Sequence, residues 1–166
     1  MSPEIRAILS EKELKNFLHV IINSFTTVSD ELGLTRETAP TNPAFITIDR
    51  LLDVYKKIQC FGLYYKNLPI GFFGLEQSAD SQLMLEKLSV LPEFRHKGYG
   101  KMILDYAVKS AAAMNMAKVS IAIINENIRL KKWYMNYGFS EVRINIFPHL
   151  PFEVCFMEFN LDSGSY

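Results

Sequence analysis

Two glycines follow three consecutive basic side chains in the stretch EFRHKGYGKMILDY. The stretch lies between a predicted strand and a predicted helix, whose first-turn amides lack intrahelical partners and have a positive electrostatic environment. Gly98 and Gly100 would leave room for a bulky anion. Arg95, His96 and Lys97 could add charge-assisted contacts to phosphate. The pattern predicts a diphosphate-binding loop. The alternative is that the two glycines only make a tight turn and that the basic residues form a solvated surface.

Two common phosphate-binding motifs do not fit this stretch. A P-loop needs serine or threonine after its lysine, but Lys101 is followed by Met102. A dinucleotide fingerprint needs a third glycine where this chain has Ile103, and its strand should open a doubly wound sheet. The preceding strand here ends a predicted meander. A P-loop is therefore excluded, and a dinucleotide fold is disfavoured.

The rest of the sequence predicts alternating helices and strands that would position this loop. Ser10 and Glu13 form a capping box, which predicts a helix through about Asn23, followed by a polar loop. Another helix is expected from Ile48 to about Ile58. Three consecutive strands from Cys60 predict an antiparallel meander, and the strand–helix–strand unit that follows predicts a parallel crossover. The predicted strands are IRAIL, the hairpin CFGLYYKNLPIGFFGLEQ, QLMLEKLSV, KVSIAIIN, Ser140 to Ile146, and Phe152 to Leu161.

Composition limits the classes of function. The chain has 166 residues, 49% of them hydrophobic, which predicts one domain over residues 1–166. Eighteen basic and eighteen acidic residues cancel, so no broad positive field predicts nucleic-acid or membrane binding. Cys60 and Cys155 lack metal-ligand or CxxC spacing, and we expect no metal site. No leader or membrane span is evident, which favours a soluble, cytoplasmic protein.

Two segments carry a resemblance to a known family. VLPEFRHKGYGKMIL resembles the acyl-CoA signature of the GNAT superfamily of N-acetyltransferases: Arg or Gln, two residues, Gly, one residue, then Gly or Ala. NIRLKKWYMNYGF is similar to a second GNAT segment, which has Asn at its start, Tyr further along and Gly-Phe at its end. The matching residues are Arg95, Gly98 and Gly100 in the first segment, and Asn127, Tyr134, Gly138 and Phe139 in the second.

The resemblance implies a fold and a cofactor. The fold would be a single GNAT-like α/β (α+β) domain with a mixed, mostly antiparallel sheet of about seven strands, flanked by helices and splayed between the fourth and fifth strands. The cofactor would be acetyl-CoA, whose pantetheine arm would bond to Leu88 and Val90 as an added strand does, and to Asn127. The Val90 N–H would reach the thioester oxygen. The pyrophosphate would lie along Arg95, His96, Lys97, Gly98, Tyr99, Gly100 and Lys101.

The resemblance also implies catalytic roles. An amine acceptor must lose a proton before it can attack, and a carboxylate acting through water could accept that proton. Period-two alternation places Met84, Glu86 and Leu88 on one face, and the family often has a base at the positions of Met84 and Glu86, which leaves Glu86. Glu86 could instead simply pair with Lys87. Tyr134 is expected to protonate the leaving thiolate.

Two classes of function remain open from the sequence. The first is an N-acetyltransferase that moves an acetyl or short acyl group to a primary amine by direct attack in a ternary complex. The second is a noncatalytic acyl-CoA-binding sensor or interaction domain, and a nucleotide-binding regulator is a third, weaker alternative. The acceptor, a small molecule or a peptide, is not identified by the sequence. Exposed edge strands would allow a homodimer.

Overall fold

A computed structural model describes residues 2–161, which form a seven-stranded sheet flanked by helices. The strands are β1 (Glu4–Ala7), β2 (Gln59–Tyr65), β3 (Leu68–Ser78), β4 (Gln82–Val90), β5 (Lys118–Ile124), β6 (Ser140–Ile146) and β7 (Glu153–Asn160). Their order across the sheet is β1-β2-β3-β4-β5-β7-β6. Only β4 and β5 are parallel neighbours, and the other pairs are antiparallel. The predicted mixed sheet and its meander are confirmed.

Helices pack on both faces of the sheet. They are α1 (Glu11–Leu14), α2 (Leu18–Glu31), α3 (Ile48–Tyr55), α4 (Tyr99–Ala113) and α5 (Ile128–Tyr137). The first three cover what we call the α2 face, with Phe17 and Phe72 in its core. Helices α4 and α5 cover the α4 face, with Leu83 and Ile103 in its core. Within residues 2–161, no helix has the length and apolar character needed to cross a membrane.

Helix α2 is longer than the sequence predicted. Its expected end was near Asn23, but the helix runs to Glu31. The serines and threonines that indicated a loop instead donate to carbonyls one turn earlier, as Thr26 Oγ1 does to the Ile22 carbonyl at 2.7 Å. Such bonds satisfy the hydroxyls inside a helix. The helix stops where Gly33 adopts a left-handed φ of 63°.

Strands β4 and β5 separate after a short paired segment. Their register is Gln82 with Lys118, Leu83 with Val119, and Met84 with Ser120. Strand β4 continues to Val90 and β5 to Ile124 without further pairing to each other. The predicted splay between the fourth and fifth strands is therefore confirmed, and it leaves main-chain groups of β4 facing a gap.

Candidate active site

The gap between β4 and β5 opens at the edge of the sheet where both strands end. Because the two strands are parallel, their carboxyl ends lie at the same edge. The chain enters α4 after the first strand and α5 after the second, so both helix N-termini lie near this edge. Crevices outside the carboxyl ends of strands commonly bind ligands in α/β proteins. The topology thus brings residues 97–101 and Asn127 toward one gap.

A β-bulge interrupts β4 beside the gap. Lys87 has a left-handed φ of 52°, and the pairing with β3 shifts next to Gly74. The extra residue changes the alternation of side chains along the strand. Glu86 lies opposite Gly74 on the α2 face, whereas Leu88 packs against the core of the α4 face. The prediction that Met84, Glu86 and Leu88 share one face is wrong for Leu88, because period-two alternation requires an unbroken strand.

The main chain of Val90 faces the gap. The Leu91 N–H donates to the Ile70 carbonyl of β3 at 2.9 Å. Hydrogen-bonding groups of successive residues alternate between the two sides of a strand, so those of Val90 point away from β3, toward the side that β5 has left. The Val90 carbonyl accepts a bond from Arg95 Nε at 3.1 Å. Its N–H has no acceptor in the described part of the chain.

The N-terminus of α4 offers free donors at the same edge. Gly98 caps the helix with a left-handed φ of 84°, and a Cβ added there would have no neighbour within 4 Å. The first helical bond runs from the Met102 N–H to the Gly98 carbonyl at 3.0 Å. The amides of Tyr99, Gly100 and Lys101 therefore lie before the intrahelical bonds begin. This helix of 15 residues also directs the positive end of its dipole there, which favours an anion.

Gly100 has a different role from the one we expected. A Cβ at this position would lie 2.9 Å from Cζ2 of Trp133. The missing side chain therefore lets α5 approach α4 and does not clear space for an anion, as Gly98 does. The Trp133 ring in turn stands edge-on to Tyr134, with ring centroids 4.9 Å apart. Sequence reasoning missed this contact because it joins two separate helices.

The other predicted loop residues differ in how firmly they are held. His96 and Lys97 are exposed, and Lys97 Nζ donates to a backbone carbonyl of the same loop at 3.2 Å. Lys101 Nζ pairs with Asp105 Oδ2 at 2.8 Å along α4. The Tyr99 ring lies 6.3 Å from each of two other aromatic rings. Phosphate contacts by these side chains remain predictions, whereas the free backbone amides need no side-chain movement to bind an anion.

Glu86 lies in a small group of titratable side chains on the α2 face. Its side chain is 28% exposed, and Lys87 Nζ is 3.7 Å from its Oε2, which is the ion pair considered from the sequence. Burial raises the pKa of Glu86, Lys87 opposes that effect, and a hydrogen bond with Glu76 raises the pKa further. Cys60 lies on the same face, and burial raises the pKa of its thiol to about 12.

Glu76 is the member of this group that sequence reasoning missed. It lies opposite Met84 in the β3–β4 register, two pairs along from Gly74 and Glu86. Alternation places it on the same face as Glu86. The register of the β3–β4 hairpin brings Glu76 and Glu86 to one face. The sequence alone does not determine that register, because it depends on where the turn falls and on the bulge at Lys87.

Helix α5 positions both Tyr134, which lies within it, and Asn127, which caps its N-terminus. Tyr134 is 4% exposed in the core of the α4 face, and burial raises its pKa, so the hydroxyl keeps its proton at neutral pH. That hydroxyl has no hydrogen-bond partner among residues 2–161. Asn127 caps α5, with its Oδ1 accepting from the Leu130 N–H at 3.2 Å. Its side-chain NH₂ remains as a donor for a ligand.

The elements around the gap carry free amides at the start of α4, an unpaired strand edge, a carboxyl group of raised pKa on the α2 face and a buried phenol in the core of the α4 face. These groups suit acyl transfer from a phosphate-bearing thioester to a nucleophile. Within residues 2–161, no group of three or more His, Cys, Asp or Glu side chains is arranged to hold a metal ion.

Comparison with known proteins gives a consistent result. The sequence model described as "Acetyltransferase (GNAT) domain" matches residues 56–141. Among solved structures, the PaiA N-acetyltransferase from Thermoplasma acidophilum in complex with coenzyme A is similar, with a TM-score of 0.74 and 21% identity over 96% of this chain and 99% of that one.

Two further structures extend the similarity. The ribosomal-protein-S18-alanine N-acetyltransferase from Escherichia coli has a TM-score of 0.73 and 12% identity, over 99% of this chain and 97% of that chain. A Bacillus subtilis acetyltransferase in complex with CoA has a TM-score of 0.68 and 14% identity, over 96% of this chain and 99% of that chain. At these low identities the similarity concerns the fold alone.

Proposed function

The chain belongs to the GNAT acetyltransferase family, and on that premise we propose that it acetylates a primary amine. The acyl group, acetyl or another short chain, would come from acetyl-CoA by direct attack of the amine in a ternary complex. The observation that carries this proposal is that two groups of backbone N–H donors without acceptors among residues 2–161 lie at the same sheet edge. One group is the N-terminus of α4, and the other is the Val90 N–H.

The residues present fit coenzyme A. The amides of Tyr99, Gly100 and Lys101 would hold the pyrophosphate, with open space at Gly98 and the exposed His96 and Lys97 beside it. The unpaired main chain of β4 would bind the pantetheine amides as an added strand does. The Asn127 side-chain NH₂ would donate to the same arm. When bound, acetyl-CoA supplies an acetyl group activated as a thioester.

Glu86 is the proposed general base. An alkylammonium has a pKa of about 10 and must lose its proton before its nitrogen can attack a carbonyl carbon. A carboxylate whose pKa is raised towards the working pH accepts that proton more readily than an ordinary one. The half-buried position of Glu86 and its contact with Glu76 both act in that direction. A water molecule could relay the proton from the amine.

Tyr134 is the proposed general acid. When the amine nitrogen forms its bond to the acetyl carbon and the carbon–sulfur bond breaks, coenzyme A leaves as a thiolate that needs a proton. Tyr134 keeps its proton at neutral pH because burial raises its pKa, and its hydroxyl has no competing partner among residues 2–161. The Val90 N–H would polarise the thioester carbonyl by donating a hydrogen bond.

Release of free thiol tests the proposal. The protein is incubated with acetyl-CoA and a panel of primary amines, small molecules and short peptides, and the thiol is followed with a chromogenic reagent. Acetyltransferase activity predicts amine-dependent thiol release and an amine product heavier by one acetyl group. Binding of coenzyme A without turnover across the panel would favour the acyl-CoA sensor instead. Stabilisation by ATP or NAD but not by coenzyme A would favour the nucleotide-binding regulator.

The proposal includes a second copy of the chain and a cellular location. Strand β6 is an edge strand, and it carries Val142, Ile144 and Ile146, all exposed. Antiparallel pairing of β6 with itself, centred on Ile144, would place Val142 opposite Ile146 of a second copy. Both cysteines, Cys60 and Cys155, are free thiols, which suits the reducing cytoplasm.

A further inference from the structure

We propose that Arg95 acts as a positioning residue, which fixes the gap-facing main chain of β4 to helix α2, and that Thr27 is its partner. This inference rests on the proposed binding of coenzyme A. It differs from the sequence-based expectation that the Arg95 guanidinium contacts phosphate. Thr27 has no place in either sequence motif.

The contacts of Arg95 join three parts of the molecule. Nε donates to the Val90 carbonyl at 3.1 Å, at the end of β4. Nη1 donates to Thr27 Oγ1 at 3.0 Å, and Nη2 donates to the Ser24 carbonyl at 2.7 Å, both in α2. Each nitrogen of the guanidinium therefore has a protein acceptor. The side chain is half-buried, so these bonds are less exposed to competing water than surface contacts.

The same contacts direct Arg95 away from a phosphate role. Three of the five guanidinium N–H groups already serve protein acceptors, and these bonds hold the side chain toward β4 and α2. Binding a phosphate with the same donors would leave the Ser24 and Val90 carbonyls without their bonds to Arg95. The amides at the start of α4 have no such competing partner in the described part of the chain.

The position of Val90 gives these contacts a functional consequence. The Arg95 bond holds the carbonyl of the residue whose N–H faces the gap, so it fixes the orientation of the adjacent peptide units. The acceptors on α2 are the Ser24 carbonyl, at the middle of that helix, and the Thr27 hydroxyl three residues later. Arg95 therefore links the alignment of the strand edge, where pantetheine would bind, to the position of α2.

Two ligands distinguish a positioning role from a phosphate contact. Coenzyme A contains the pyrophosphate, whereas pantetheine contains the arm that would bind β4 but no phosphate. Arg95→Lys keeps the positive charge but cannot make the three hydrogen bonds of the guanidinium. We expect its affinity for both ligands to fall by the same factor, about tenfold. Thr27→Val, which removes one acceptor, should lower both affinities in the same direction by a smaller factor. Calorimetry or NMR titration measures each dissociation constant.

Matched variants complete the experiment. Arg50 Nη1 also donates to a backbone carbonyl, that of Pro40 at 2.7 Å, but it is exposed and outside the gap, so Arg50→Ala should leave both affinities unchanged. Lys97→Ala should weaken coenzyme A and spare pantetheine, because its ammonium lies beside the loop. A second readout is kcat, which should fall with misalignment of Val90 even when both ligands saturate the protein.

Each outcome decides the inference. Loss of affinity for coenzyme A alone in Arg95→Lys would assign Arg95 to phosphate and overturn the positioning role. A lower melting temperature with both affinities and kcat unchanged would assign it to stability alone. Failure of the wild-type protein to bind either ligand would instead contradict the proposed function, so the two failures are distinguishable.

Discussion

At the scale of single residues, the proposed mechanism depends on two side chains whose environments shift their pKa values in useful directions. Burial keeps Tyr134 protonated, and burial together with Glu76 makes Glu86 more basic. The resemblance to the second GNAT segment singled out Tyr134, and strand alternation together with the family's usual base positions singled out Glu86. It could not identify Glu76, because that contact crosses two strands and depends on their register.

Removing the Tyr134 hydroxyl tests the role of the acid. Tyr134→Phe keeps the ring packing with Trp133 and Phe139 and removes only the proton donor. We expect kcat to fall by about 10²-fold, while the KM for acetyl-CoA changes little. Steady-state kinetics with the best amine measures both constants. An unchanged kcat would exclude Tyr134 as the acid.

Glu76 should set the pH at which the enzyme becomes active. The base must be ionised, so kcat/KM is expected to rise with pH through the pKa of Glu86. Because Glu76 raises that pKa, Glu76→Gln should lower it and move the acidic limb of the profile to lower pH. Glu158→Gln, on β7 and paired with Lys118, is the control and should leave the limb in place. A limb that stays fixed in Glu76→Gln, or moves to higher pH, would contradict the role of this pair.

At the scale of elements, local signals predicted most of the fold. The hairpin turn at Lys66 and Asn67, both with positive φ, and the helix end at Gly138 follow from turn and cap residues. The extension of α2 was missed because its hydroxyls bond within the helix. The bulge at Lys87 was missed because no glycine indicates its left-handed conformation.

The two glycines of the loop should respond differently to the same substitution. Gly98→Ala places a methyl group in open space at a φ of 84°, so it should cost about 1 kcal/mol of stability and weaken coenzyme A binding. Gly100→Ala forces Trp133 to move, which should cost about 1–3 kcal/mol. Urea unfolding measures both. Equal stability losses, with no change in affinity for either variant, would contradict the separate roles assigned to these glycines.

At the scale of the whole molecule, the sheet has two edges, β1 and β6. The sequence predicted the strands but not how their apolar residues would be exposed, because exposure depends on which strand lies at an edge. Ile144 is 41% exposed and Ile146 is 78% exposed, on a strand whose outer main chain has no partner strand among residues 2–161. Such an edge is prone to pair with another chain.

Disrupting this edge tests the proposed homodimer. Ile144→Lys places a charge opposite its own copy in the proposed pairing, so we expect the dimer to dissociate into monomers. Light scattering after size-exclusion chromatography measures the mass. Leu68→Lys, at an exposed leucine that begins β3, is the control and should leave the dimer intact. A monomeric wild-type protein would rule out the pairing.

The central claim is that free amides at the start of α4 and at Val90 bind coenzyme A. Titration of ¹⁵N-labelled protein with coenzyme A, followed by amide chemical shifts, tests it most directly. We predict saturable binding, with the largest shifts at Tyr99, Gly100, Lys101 and Val90. Absence of binding by folded protein, or shifts confined to residues away from this sheet edge, would contradict the account.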